Sequence, residues 1–515
     1  MNRCFSVLRF ALLLLLAVDL SAAEAPLRLP SVISDHAVLQ RRVPIHVWGW
    51  SGAGDAVTVS LHTQRRSTVA NRYGEWSLWL MPEEAGGPYT LDVIGKDAEG
   101  KSERGGQITR KDLLVGDVWV ASGQSNMEMP LRGFPNSAVV KNSNREIASA
   151  NQPQVRLLRL EKAAANIPQH DIATQWTLCT PQTAADFSAV GYLFARDISR
   201  QEQVPIGIID TTWGGTPIES WISLNALGEN ASLMPIFATH ARFADEQSRM
   251  NMVEAAEKHE DAVVAQAGQP IPKHPWHPSE DSRVPGGLYN GMIAPLTPYS
   301  IKGFLWYQGE TNSVPNRALL YRKLFPTMIA DWRAHWQQGD LPFLYVQISS
   351  FRSDQEDWGT IRDAQRRTLA VANTAMAVSI DAGDAMNVHP ADKQTVADRL
   401  TLAARGLVYG ETVPYKGPMF REATTEGDGM RVWFDHTAGG LHVVASAKDT
   451  LEKDFELAGE DHKFVGAHAV LEGETVLVKS PTVDRPLYVR YAWTNESKGG
   501  LRNGADLPAS TFTSE

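Results

Sequence analysis

Four short polar stretches of this chain carry side chains suited to nucleophilic hydrolysis, and each follows an apolar run. The first is Gly123-Gln124-Ser125-Asn126, after Val118-Trp119-Val120-Ala121. A nucleophilic serine needs exposure at the C-terminal edge of a sheet, a base, and donors for the developing oxyanion. Ser125 has the first by position, and a helix starting there would aim its unpaired N–H groups at the charge. The second glycine of the G-x-S-x-G elbow is missing, so this stretch alone serves a helix-capping serine equally well. The second stretch, "TTWGGTPIESW", holds Gly214 and Gly215, either of which lets the backbone approach a substrate and present an N–H. The third, "LWYQGETN", places Gln308 to donate from its amide and Glu310 to hold neighbouring groups. The fourth, "DAGDAMNVHPADKQTVADRL", contains His389, and an imidazole is the natural base for a serine at neutral pH. Taken singly, each reads as readily as a turn, a cap or an exposed loop histidine. Together they follow successive predicted strands in the order Ser, Gly, amide, His, where α/β proteins bind ligands.

The elements that must position these groups can be read from periodicity. "LLVGDVWVAS", "VRLLRL" (155–160), "PIGIIDTTW", "IKGFLWYQ", "PFLYVQIS" and "AMAVSIDAG" read as buried strands. Helical stripes follow two of them, over Ser188 to Gln201 and over about 392–408, closing at Gly410. Strand–helix alternation predicts a parallel sheet with helices on both faces across 111–410. Residues 225–286 break the rhythm with a charged helix (239–268) and a Pro/His segment, an insertion in the α/β domain. Residues 24–110 hold about five short β segments between Gly-rich turns, as in a β-sandwich-like module. Residues 411–515 return to β segments, with the first module as a candidate packing partner.

Length and composition bound the class. A chain of 515 residues exceeds one ordinary core, and 43% hydrophobic with 21% charged residues suits a globular protein. Arg3 and Arg9, the apolar run Phe10 to Val18, and Ser21-Ala22-Ala23 form a secretory signal peptide over 1–23. The expected location is periplasmic or extracellular, with no stable membrane insertion after cleavage. Removing Arg3, Arg9 and Asp19 takes the formal charge from −10 to −11, and no basic patch argues for nucleic acid. Cys4 would leave with the leader, so Cys179 has no intrachain disulfide partner and no cysteine metal cluster is available.

"GQSNMEMPL", "WGGTPIESW", "WYQGETN" and "HPADKQTVADRL" resemble the four blocks of SGNH hydrolases of the sialate O-acetylesterase type. The likeness covers about Leu113 to Gly410 and extends into the flanking β regions. It implies a flavodoxin-like three-layer α/β/α domain with Ser125 as nucleophile and His389 as general base. It implies oxyanion donors at the Ser125 N–H, Gly214 or Gly215 (Gly215 preferred), and the Gln308 side chain. The implied substrate is an O-acetylated saccharide, sialic acid or a plant cell-wall polysaccharide such as xyloglucan, with no metal or cofactor. Many SGNH hydrolases carry an acid three residues before the histidine, but Met386 stands there. Asp384 is the preferred group to orient His389, with Asp381, Asn387 or a backbone carbonyl as alternatives. A non-catalytic glycan-binding protein is the other class of reading, supported only by that missing acid. Trp276, between His274 and His277 in the insertion, is a candidate sugar-stacking residue, though a plain surface loop explains it as well.

Overall fold

The computed structural model describes residues 26–97, 106–135, 138–274, 281–444 and 451–515. The expected leader, Trp276 and His277 lie outside the described residues.

Seven strands form the central sheet: β1 (Gln107–Gly123), β2 (Gln152–Arg159), β3 (Trp176–Cys179), β4 (Ile206–Thr212), β5 (Gly303–Tyr307), β6 (Phe343–Gln347) and β7 (Thr374–Val378). Their order is β7-β6-β5-β1-β4-β2-β3, with every pair parallel except β2–β3. The short strand β3 carries no signal in the apolar pattern. Without the added β2–β3 pair, the other five run second-first-third-fourth-fifth, the flavodoxin order. β1 therefore lies at the switch point between β4 and β5, where the crevice beyond the strand ends opens.

Side chains on both faces of the sheet are covered, which is why β4 to β7 read as largely apolar runs without strict alternation. Helices α1 (Ser125–Glu128), α2 (Ala189–Glu202), α3 (Pro235–Gln266), α4 (Tyr321–Trp336), α5 (Trp358–Arg367) and α6 (Lys393–Leu407) carry the argument below. Phe304 packs on Trp332 and Trp306 on Phe325 of α4. Tyr307, the next residue of β5, meets Lys393 of α6, as the alternation of a strand requires. The starts of three helices are set by side-chain caps: Ser188 accepts from Gly191 N–H, Asp357 from Thr360 N–H and Asp392 from Thr395 N–H.

The 17-residue strand β1 runs through the boundary expected at residue 110. Its first half pairs with Gly86–Lys96 of the N-terminal module, and its second half with β4 and β5. Within that module, Ala56–Leu61 joins Gln64–Val69 to Gly86–Lys96, and Ile45–Trp50 pairs antiparallel with Glu75–Leu80. In the expected insertion, α3 is 32 residues long and largely exposed where its side chains are described.

The C-terminal β region docks on the α/β domain, where the sequence offers the first module as a partner. Arg362 of α5 is fully buried and donates to the carbonyls of Ile348, Ser349, Ala492, Thr494 and Asn495. Arg502 reaches back to Asp381. Cys179 is buried and unpaired. Among the described residues, no helix is long and apolar enough to cross a membrane.

Candidate active site

The end of β1 turns sharply into α1. Gly123 adopts φ 134° and Gln124 N–H donates to Tyr307 O at 3.0 Å. A Cβ on Gly123 would stand 2.2 Å from that same carbonyl, so only glycine lets the elbow lie against β5. The turn leaves Ser125 half-buried at the strand's C-terminal edge. Its Oγ lies 2.8 Å from His389 Nε2, across 264 residues of chain.

The His389 ring meets the edge of Phe134 at 5.2 Å between centroids. Burial, helped by the charge of Lys393, pulls its pKa down to about 4. The ring is therefore neutral at pH 7, and a neutral imidazole can take a hydroxyl proton.

The expected orienting acid is not at the ring. Asp384 Oδ1 accepts from Met386 N–H at 2.9 Å, capping its own turn. Asp381 is held by Arg399 and Arg502. Asn387 Oδ1 accepts from the His389 backbone N–H, not from the ring. Among the described residues, no carboxylate bonds to the imidazole. Spacing along a loop sets how near a carboxylate is, but local backbone donors decide where it points.

The oxyanion candidates separate in a similar way. Gly214 N–H is given to the Glu128 carboxylate, which Lys162 also holds. Gly215, at φ 73°, and Ser125 have no acceptor for their N–H groups among the described residues. Gln308 is fully buried, and its amide donates to Asn312 Oδ1 at 2.7 Å and Thr216 O at 3.2 Å. With its two N–H groups engaged, this amide has no donor left for an oxyanion. The expectation of a Gln308 donor is thus corrected: the side chain braces the Gly214–Thr216 turn from below.

Three residues overlooked in the sequence complete the site. Asn126 Nδ2 donates to Glu310 Oε1 at 2.6 Å and to Val388 O at 3.0 Å, while its Oδ1 accepts from Lys393 Nζ at 2.7 Å. Lys393 is fully buried, and burial lowers its pKa to about 7. Burial also raises the pKa of Glu310. Two buried groups of opposite sign are thus joined through one amide. Glu128 is the third, the clamp on Gly214. All three lie within the quoted blocks, and their polarity beside predicted strand ends was their only signal. Among the described residues, no cluster of His, Cys, Asp and Glu could hold a metal ion.

Residues 115–234 and 237–403 match the family "Carbohydrate esterase, sialic acid-specific acetylesterase". The sialate O-acetylesterase of Rattus norvegicus is 30% identical over 98% of this chain and 97% of its own length. That of Homo sapiens is 31% identical over 80% of this chain and 77% of its own. A crystal structure of a carbohydrate acetylesterase from Xanthomonas citri superposes with a TM-score of 0.79 and 35% identity, covering 95% of this chain and 99% of that one. The chain belongs to the sialic acid-specific acetylesterase family of carbohydrate esterases, and it is an ester hydrolase.

Proposed function

We propose that this protein is an exported esterase that releases acetate from O-acetylated saccharides through an acyl-enzyme on Ser125. The observation that carries the reading is the 2.8 Å contact between Ser125 Oγ and a histidine kept neutral by burial. Ser125 Oγ attacks the acetyl carbonyl while His389 Nε2 takes its proton. The Ser125 and Gly215 N–H groups, both without another acceptor among the described residues, receive the oxyanion. His389 then protonates the departing sugar hydroxyl, and a water activated by the same ring releases acetate. Ser125 and His389 act as a pair, with the ring placed by Phe134 and by its loop.

The leader expected over residues 1–23, with Arg3 and Arg9 before its apolar run, supports export. The two helix groups against β5 support a three-layer arrangement of the 111–410 domain. The saccharide is a sialate or a plant cell-wall polysaccharide such as xyloglucan.

Hydrolysis of a chromogenic acetate ester by the wild type and by Ser125→Ala tests the chemistry. Equal rates would refute it. Acetate release from acetylated xyloglucan, acetylated xylan and O-acetylated sialic acid, compared at equal ester concentration, selects the saccharide.

A further inference from the structure

A cleft of about 720 Å³ lies on the seam between the N-terminal module and the α/β domain. Neither Ser125 nor His389 lines it. Thr297 and Pro298 on its wall precede β5, which places this part of the wall at the sheet's N-terminal edge. Ser125 stands beyond the C-terminal edge, and the five residues of β5 alone span about 16 Å. A cleft of about 570 Å³ adjoins it and shares His46, Thr297, Pro298 and His335. The two form one elongated groove around His46.

The groove combines aromatic faces with exposed amides. His46 stacks on Trp48 (4.9 Å) and on Trp79 (4.2 Å), because His46 and Trp79 are direct partners in an antiparallel strand pair. Trp79 is 55% exposed yet held nearly parallel to the imidazole. A large apolar face fixed in advance loses little freedom when a flat ligand settles on it. Across the first cleft, Asn166 and Asn225 are exposed, and neither side chain has a hydrogen-bond partner among the described residues. Charge is nearly absent from the walls. Among the described residues, no Lys or Arg lines either cleft, and Glu75 is the one carboxylate. His335, whose pKa its hydrogen bond to Asp331 raises, is already paired with that carboxylate, so an anionic ligand would find little free counter-charge there.

We propose that this groove is a second saccharide site, which holds a neutral, unacetylated stretch of an oligosaccharide remote from the ester being cleaved. Stacking on the indole matches the C–H face of a pyranose, and free amides match its hydroxyl rim. The class of ligand rests on the saccharide reading of the Ser125 site, but the location and the neutrality come from the groove itself.

Isothermal titration of the full chain with an unacetylated xyloglucan oligosaccharide, and separately with sialyllactose, tests this. The expected result is saturable binding of the neutral sugar and none of the sialylated one. Trp79→Ala and Asn225→Ala alter exposed side chains outside the esterase site, and each should weaken neutral-sugar binding at least tenfold. Both should hydrolyse a chromogenic acetate ester at the wild-type rate, a readout that reports on the Ser125 chemistry separately. Failure of the wild type to bind the neutral sugar would overturn the proposal. So would binding untouched by both substitutions, or tighter binding of sialyllactose.

Discussion

The side-chain amide of Asn126 donates to the carbonyl of Val388 at 3.0 Å, which ties the residue after Ser125 to the residue before His389. Ser125 and His389 come from elements far apart in sequence, and this hydrogen bond fastens the side chain beside the one to the backbone beside the other. The same side chain bridges Glu310 and Lys393, so its removal would leave two buried ionisable groups without their shared partner.

Asn126→Ala should therefore lower stability by about 1–3 kcal/mol and turnover by about a hundredfold through misplacement of the serine and histidine. Denaturant unfolding and kcat on an acetate ester measure the two effects. A fall in stability with kcat intact would show that the tie supports the fold but not the site.

Asp384→Ala should leave kcat within about twofold, as for a substitution worth no more than ~0.5 kcal/mol. Its carboxylate caps a turn, whereas loss of a triad acid lowers turnover by about ten-thousandfold. A drop of that size would restore Asp384 to the catalytic group.

Burial, and then Lys393, hold the pKa of His389 near 4. Because the base must be neutral, kcat/KM should stay level as pH falls through 6 and decline only on approach to 4. Lys393→Met removes the repelling charge, so the acid limb should move to higher pH. A wild-type limb near 6.5 would contradict the buried ring. The same shift acts on stability. The unfolded chain takes up this proton near 6.5 and the folded chain near 4, so stability should be lost as pH falls between them.

Arg362→Met should cost about 3–5 kcal/mol, the usual range for breaking a buried charged network. Five carbonyls would lose this donor, two after β6 and three in the C-terminal region, though Ala492, Thr494 and Asn495 keep another from Thr511 Oγ1, Ser497 N–H and Phe351 N–H. The thermal midpoint and susceptibility of the C-terminal region to protease should report it. An unchanged midpoint would mean that other contacts hold that region.

The contact between Ser125 and His389 was legible because few side chains are suited to act as nucleophile and base, and both follow strands whose apolar runs are plain. The parallel sheet was legible for the same reason, since burial on both faces leaves little polar alternation. Gln308 misled because an amide at a strand end looks like a free donor until Asn312 and Thr216 are seen to occupy it. The Gly214 N–H is taken up by Glu128, 86 residues away, which no local pattern reveals. Asp384 failed for a simpler cause: a nearby backbone N–H captured it first. Lys393 sat in a quoted block unremarked, because a lysine at a helix start is ordinarily solvated.

The strand Gln107–Gly123 has an evolutionary and practical consequence. Its backbone begins in the N-terminal sheet and ends two residues before Ser125. The module is thus no detachable appendage, and cutting the chain at 110 would strip Gly86–Lys96 from the strand that leads into Ser125. Any shuffling of this esterase core onto other partners would have to take that girder with it.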